Sequence, residues 1–192
     1  MITQDAFMTG KSLISTIVQK MNDLNKSRQR FIKEILLLYL SHRGRMNFLQ
    51  MERQAGLSEK SYRYQFEQDF DWMDFNVNLI KEQCSDELVI GFDPIFINKS
   101  GKRSPGLGYF YSGCAGHYKR GLEIGNFAAI DVHQNTAYHL EAIQSNATKR
   151  DRITTDKTLV DHYGELLVER APSIEQISKI LVCDVYFNKR SM

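Results

Sequence analysis

The chain contains few of the residues that mark secreted, fibrous or membrane proteins. Of its 192 residues only three are cysteine and three are proline, and the unbroken apolar run Ile35–Leu40 is six residues long. Cysteines without a spaced framework predict reduced thiols and not a disulfide scaffold. A bilayer takes about 20 apolar residues to cross, so this run is too short to span one. We therefore expect a cytoplasmic protein with no membrane partner.

Net charge is also small, at +2, but it is unevenly distributed. The segment from Lys20 to Arg63 carries ten Lys or Arg residues against four acids, and the segment from Pro94 to Leu122 carries five and no acid. Two separate basic surfaces on a nearly neutral chain suit a polyanionic partner. The alternative is that each segment is an ordinary solvated face.

Apolar residues at helical spacing predict a helical domain over residues 1–80. Within it, Gly56 can adopt the left-handed turn conformation, and Ser58 can cap the helix that follows. A helix, a glycine-containing turn and a capped helix are the outline of a helix-turn-helix, whose second helix lies in the DNA major groove. Plain helical packing is the alternative. The candidate DNA contacts on the second helix are Lys60, Ser61, Arg63 and Tyr64.

From Leu88 onward the pattern becomes typical of β-strands. The apolar run Leu88–Ile97 carries Asp93 at its middle, and Ile180–Phe187 repeats the design with Asp184. Such runs predict strands buried on both faces, where a carboxylate must be paired or bound to a cation. If the two strands are neighbours, their carboxylates can converge on a divalent metal.

The segments between these two runs predict the architecture of the second domain, residues 87–192. Three strands, then a helix, then a strand parallel to the first is the element order of the RNase H-like fold. The sequence thus predicts an α+β protein, with an incomplete RNase H-like mixed sheet and a crossover helix after the helical domain. The predicted segments are strands 107–114, 122–132 and 137–143 and helix 158–171.

Five segments of this domain form a combination of motifs that is specific only when they are taken together. They are Gly91–Pro94, Lys99–Lys102, Ser104–Gly116, Lys119–Ile124 and Asp184–Phe187. Over roughly residues 88–190 this combination resembles the DDE transposases of bacterial insertion sequences. The resemblance implies that Asp93 and Asp184 are two members of a catalytic triad of acids, which holds two Mg²⁺ or Mn²⁺ ions.

The same resemblance implies that the partner is double-stranded DNA, at transposon ends and at the target, and that the intact enzyme is a homodimer. Metal ions held between carboxylates activate a water or 3′-hydroxyl for in-line attack on a phosphodiester. The side chains predicted to contact DNA are Lys60, Arg63, Tyr64, Lys99, Lys102, Arg103, Lys119 and Arg120.

The chain departs from the family at the third acid. That acid is a glutamate on a later helix, yet only eight residues follow Asp184 and none of them is acidic. We therefore expect the amino-terminal part of a transposase, which by itself does not catalyse DNA transposition. A non-catalytic DNA-binding protein that competes with an intact transposase is the alternative.

Overall fold

The computed structural model describes residues 3–101, 103–145, 158–184 and 187. These residues form an α+β protein, as the sequence predicts, with helices α1 (Gln4–Lys20), α2 (Lys26–Ser41), α3 (Phe48–Ala55), α4 (Glu59–Phe66), α5 (Trp72–Gln83) and α6 (Leu159–Ile174). The strands are β1 (Leu88–Asn98), β2 (Gly108–Ser112), β3 (His117–Asp131), β4 (Thr136–Gln144) and β5 (Leu181–Cys183). Contacts divide the chain into two compact units, Met1–Leu79 and Ile80–Met192. None of the described helices is long and apolar enough to cross a membrane.

Apolar side chains of the first helices form the core of the helical unit. Ile17 and Val18 of α1 are fully buried, and they belong to one cluster with Phe31 of α2 and Tyr62 of α4. The Tyr62 hydroxyl donates a hydrogen bond of 3.1 Å to Glu34 of α2. Burial, helped by the Glu34 carboxylate, raises the pKa of Tyr62 to about 12. Helix α4 is therefore held against α2 by both apolar and polar contacts.

A buried cation, Arg28, ties the start of α2 to the end of α4. Its guanidinium donates hydrogen bonds to the backbone carbonyl of Gln65 (2.5 Å), to the Gln65 side-chain oxygen (2.8 Å) and to the carbonyl of Gln68 (2.8 Å). The last carbonyls of a helix lack intrahelical donors and carry the negative end of its dipole. Burial lowers the pKa of the Arg28 guanidinium, and the Asp69 carboxylate opposes that shift.

The second unit is built on a mixed sheet with β1 at its centre. Strand β1 pairs antiparallel with β3 and parallel with β5. Strand β3 also pairs antiparallel with β2 near its start and with β4 along its second part. The sheet therefore contains the neighbours β4, β3, β1 and β5 in that order.

Helix α6 covers one face of this sheet. Phe92 of β1 lies between Phe127 of β3 and Tyr163 of α6, at ring-centroid distances of 4.6 and 5.4 Å. A Cβ atom at Gly125 would lie 2.9 Å from the Phe92 ring, so glycine permits this close packing. The Tyr163 hydroxyl donates a 2.6 Å hydrogen bond to buried Glu123, which fixes α6 on β3.

The prediction that β1 is buried on both faces is wrong for the second half of the strand. Leu88, Ile90 and Phe92 are buried, but the second half of the strand, from Asp93 onward, is half-buried or exposed. Ile95, on the same face as Asp93, is 49% exposed. The prediction was wrong there: an apolar run by itself indicates two covered faces, whereas the face that carries Asp93 and Ile95 is exposed in this half of the strand.

Replacing Arg28 tests whether this cation organises the helical unit. We expect Arg28→Ala to lower the free energy of unfolding by about 2–4 kcal/mol, because it leaves several carbonyls without donors. Arg28→Lys should recover only part of this loss, since one ammonium cannot reach every carbonyl. Urea denaturation followed by the fluorescence of Trp72 measures both effects.

The exposed neighbour Arg30 provides the control, and Arg30→Ala should change the stability by less than about 0.5 kcal/mol. Equal losses in the Arg28→Ala and Arg30→Ala variants would contradict the role assigned to the buried guanidinium.

Candidate metal centre and nucleic-acid interface

The parallel pairing of β1 with β5 places the two aspartates side by side. Phe92 lies opposite Cys183 in the register, so the next residues along the two strands are Asp93 and Asp184. Paired strands are about 4.8 Å apart, so the two residues that directly follow such a pair lie close together. The prediction that these two strands are neighbours is confirmed.

Both aspartates are exposed and border two depressions in the surface. One cavity of about 550 Å³ is lined by both acids and by a set of aromatic side chains, Phe96, Phe110, Tyr111, Tyr118 and Phe187. A second depression of about 460 Å³ is lined by both acids together with Asn126 and Val182. Ligands can therefore reach the pair of carboxylates from both depressions.

The phenylalanine of the Asp184–Phe187 motif has a packing role. Its backbone N–H donates a 3.0 Å hydrogen bond to the carbonyl of Asp184. Its ring lies 5.6 Å from the ring of Phe92 and 5.9 Å from that of Tyr163. Phe187 therefore holds Asp184, the residue that follows β5, close to the aromatic residues Phe92 and Tyr163.

Glu123 lines the larger cavity as well, which the order of acids in the sequence did not indicate. Its side chain is 7% exposed and accepts the hydrogen bond from Tyr163.

Across residues 3–101, 103–145, 158–184 and 187, no group of three His, Cys, Asp or Glu side chains is arranged to hold a metal ion. Two carboxylates can supply ligands to one Mg²⁺ or Mn²⁺ ion that keeps several waters. The two-metal centre that the family resemblance implies needs more carboxylates than these residues supply.

Two tyrosines beside the acids were missed by the sequence analysis. Tyr111 of β2 and Tyr118 of β3 are paired across the strands, with ring centroids 5.8 Å apart, and they are 56% and 60% exposed. The available signal was the alternation of Tyr109, Phe110 and Tyr111, which predicts one buried aromatic between two exposed ones. Phe110 is indeed 1% exposed.

Of the basic residues predicted near the sheet, two lie in a loop and two lie on a strand. Lys99 and Arg103 are exposed in the segment between β1 and β2, and Lys119 and Arg120 are half-buried on β3. Lys102 lies outside the described residues. Arg120 is opposite Tyr109, and Lys119 is opposite Phe110, so two of these cations belong to the strands that carry the tyrosines.

In the helical unit the predicted turn between α3 and α4 is present. Gly56 has φ 81°, and the Ser58 hydroxyl accepts a 3.2 Å hydrogen bond from the N–H of Ser61. Lys60, Arg63 and Tyr64 of α4 are all exposed. A cleft of about 530 Å³ between α2 and α4 is lined by Arg30, Lys60, Tyr64 and hydroxyl side chains.

Arg63 is less available to a ligand than its exposure suggests. Its Nε donates a 2.9 Å hydrogen bond to Glu59, and its guanidinium lies 4.9 Å from the ring centroid of Phe48. The ion pair offsets the charge, and the ring covers part of one face of the guanidinium. Lys60 is therefore the stronger candidate for contact with an anion.

No protein-family model and no curated protein matches this chain. The functional assignment therefore depends on the arrangement of side chains and on the motifs in the sequence.

Phe187→Ala tests how Asp184 is positioned. We expect faster hydrogen–deuterium exchange in the peptide Leu181–Asp184 and a lower free energy of unfolding, by about 1–3 kcal/mol, because two aromatic contacts are lost. Exchange in α2 should not change. Val168, which is 75% exposed on α6, provides the control substitution Val168→Ala. Unchanged exchange at β5 in the Phe187 variant would contradict the packing role.

Proposed function

We propose that this chain is a DNA-binding protein of the DDE transposase type, in which Asp93 and Asp184 bind a divalent metal ion. The observation that carries the proposal is the parallel register of β1 and β5, which places these acids next to each other. Two neighbouring carboxylates offer the hard oxygen ligands that a divalent cation prefers. The family motifs and the two basic segments point in the same direction.

The finer fold assignment is part of this proposal. Three neighbouring antiparallel strands, β4, β3 and β1, are followed through α6 by β5, which is parallel to β1. This arrangement supports an RNase H-like fold for the second unit. The capped turn between α3 and α4 supports a helix-turn-helix in the helical unit, with α4 as the recognition helix.

The chemistry follows from the residues at the end of β5. A Mg²⁺ or Mn²⁺ ion bound there would supply Lewis-acid polarisation of phosphodiester oxygens. Asp93 and Asp184 would hold the ion, while Phe187 keeps Asp184 in place. Lys99, Arg103, Lys119 and Arg120 would attract the DNA backbone, since cationic side chains dominate affinity for phosphates.

Binding without catalysis fits the chain better than catalysis does. Among the described residues, Glu123 is the other carboxylate that lines the larger cavity, and it is engaged by Tyr163. A protein that occupies transposon ends without cutting them would compete with an intact, homodimeric transposase.

Metal binding is tested with Mn²⁺, followed by electron paramagnetic resonance of the full chain. We expect saturable binding that is weakened at least about tenfold in Asp93→Asn and in Asp184→Asn, because each variant removes a ligand charge. Asp86→Asn, a change at an exposed acid outside both depressions, should bind like the wild type. If both site variants retain full affinity, the metal assignment is wrong.

The same preparation tests the lack of activity. With Mg²⁺ or Mn²⁺ and transposon-end DNA, we expect neither nicking nor strand joining. Cleavage that disappears in Asp93→Ala would overturn the non-catalytic assignment while supporting the metal site.

DNA binding by α4 is tested by fluorescence anisotropy on duplex DNA over a series of salt concentrations. Lys60→Ala should weaken binding and lower the slope of log K against log salt by about 0.9, the value for one phosphate contact. Arg63→Ala should have a smaller effect, because Glu59 already engages that guanidinium.

Lys11→Ala is the control, because Lys11 is an exposed lysine of α1 that does not line the cleft. Affinity that does not depend on salt, or that is unchanged in a Lys60/Arg63 double alanine variant, would rule out this interface.

A further inference from the structure

An exposed aromatic surface covers one side of the hairpin formed by β2 and β3. Tyr109, Tyr111 and Tyr118 are between 56% and 60% exposed, and the rings of Tyr111 and Tyr118 meet edge to face at 5.8 Å. Residues 109, 111, 118 and 120 share one face, because each lies directly opposite a member of the set. Grouped exposed aromatic rings typically mark a binding surface.

The hairpin holds these rings in a defined place. The carbonyl of Ser112 accepts hydrogen bonds from the N–H groups of Ala115 (3.1 Å) and Gly116 (2.9 Å), and Gly116 adopts φ 67°. The conformation at Gly116 favours glycine, because a side chain there would be strained. The two tyrosines flank this turn, so a ligand meets rings that are already positioned.

Tyr111 and Tyr118 are connected to the acids by the larger cavity. They line it together with Asp93, Asp184 and Phe187, whereas Tyr109 does not. Its volume of about 550 Å³ lies within the range of small-ligand sites, roughly 300–1,000 Å³. The cavity is therefore lined both by aromatic rings and by carboxylates.

A ligand that suits this lining has a flat ring for the tyrosines and an anionic group that a metal ion at the carboxylates would attract. A nucleotide has both parts. Inside a duplex the faces of a base are covered by its neighbours, so only an unpaired base can stack on a tyrosine ring. Arg120, which shares a face with Tyr111 and Tyr118, provides positive charge for the adjoining phosphates.

We propose that Tyr111 and Tyr118 form a stacking site for an unpaired nucleobase of a DNA strand whose phosphate is held at the Asp93–Asp184 centre. The phosphate part of this proposal rests on the proposed metal-binding function. The stacking part follows from the tyrosines themselves.

The proposal is tested by fluorescence anisotropy of the full chain with a labelled single strand and with the blunt duplex of the same sequence, in Ca²⁺. We expect the Tyr111→Ala/Tyr118→Ala double variant to bind the single strand at least about tenfold more weakly, given the usual contribution of base stacking on aromatic residues. Its affinity for blunt duplex should stay within about twofold of the wild type. Tyr111→Phe/Tyr118→Phe should bind both DNAs like the wild type, because the rings remain.

Tyr109→Ala is the matched control, since Tyr109 lies on the same face of the hairpin but outside the cavity. Circular dichroism of each variant verifies that the fold is retained. Wild-type affinity of the double alanine variant for the single strand would overturn the proposal, as would an equal loss in Tyr109→Ala. Loss of binding in the phenylalanine variant would overturn it too, because the hydroxyls and not the rings would then be responsible.

Two further results distinguish the stacking site from the proposed metal-binding function and from an interface between copies of the chain. If Mn²⁺ does not bind but the tyrosines still govern single-strand affinity, the proposed metal-binding function fails and the stacking site stands. If light scattering shows that the wild type is a dimer and the double alanine variant a monomer, the tyrosines form an interface between copies of the chain and the stacking proposal is wrong.

Discussion

The pairing of β5 with β1 is the interaction on which the candidate site depends. A backbone hydrogen bond of 2.9 Å joins the N–H of Ile90 to the carbonyl of Ile180, and a register of only three residue pairs continues from it. Parallel pairing cannot be made by a tight turn and needs a crossover connection. Here α6 lies in that connection, and its Tyr163 contacts Phe92 of β1, Glu123 of β3 and Phe187.

This short strand has little support of its own. Ile180, Leu181 and Val182 are between 43% and 58% exposed, so burial contributes less to their stability than it does for β1. Phe187 compensates by packing on Phe92 and Tyr163. The presence of Phe187, three residues after Asp184, is thus explained by packing, while Asp184 itself is exposed.

The two units use buried polar groups in the same way. In the helical unit Arg28 bonds the carbonyls at the end of α4, and in the second unit Tyr163 bonds Glu123 between α6 and β3. A buried polar group is costly unless it has a partner, so each of these contacts selects one arrangement of its two elements. The candidate DNA contacts lie on α4 and on the β2–β3 hairpin. Arg28 bonds the end of α4, and Tyr163 bonds Glu123 of β3.

The sequence by itself determined the element types, the turn at Gly56 and the cap at Ser58, and it allowed a parallel pairing of the two aspartate strands. Each of these follows from local periodicity, from backbone preference or from the rule that links strand order to topology. Only the tertiary structure decided that Asp93 lies on an exposed face, that Glu123 is engaged by Tyr163 and that Tyr111 and Tyr118 border the acids. These features depend on which face α6 covers and on the register of β2 with β3, and an apolar run reads the same whether one of its faces or both are covered.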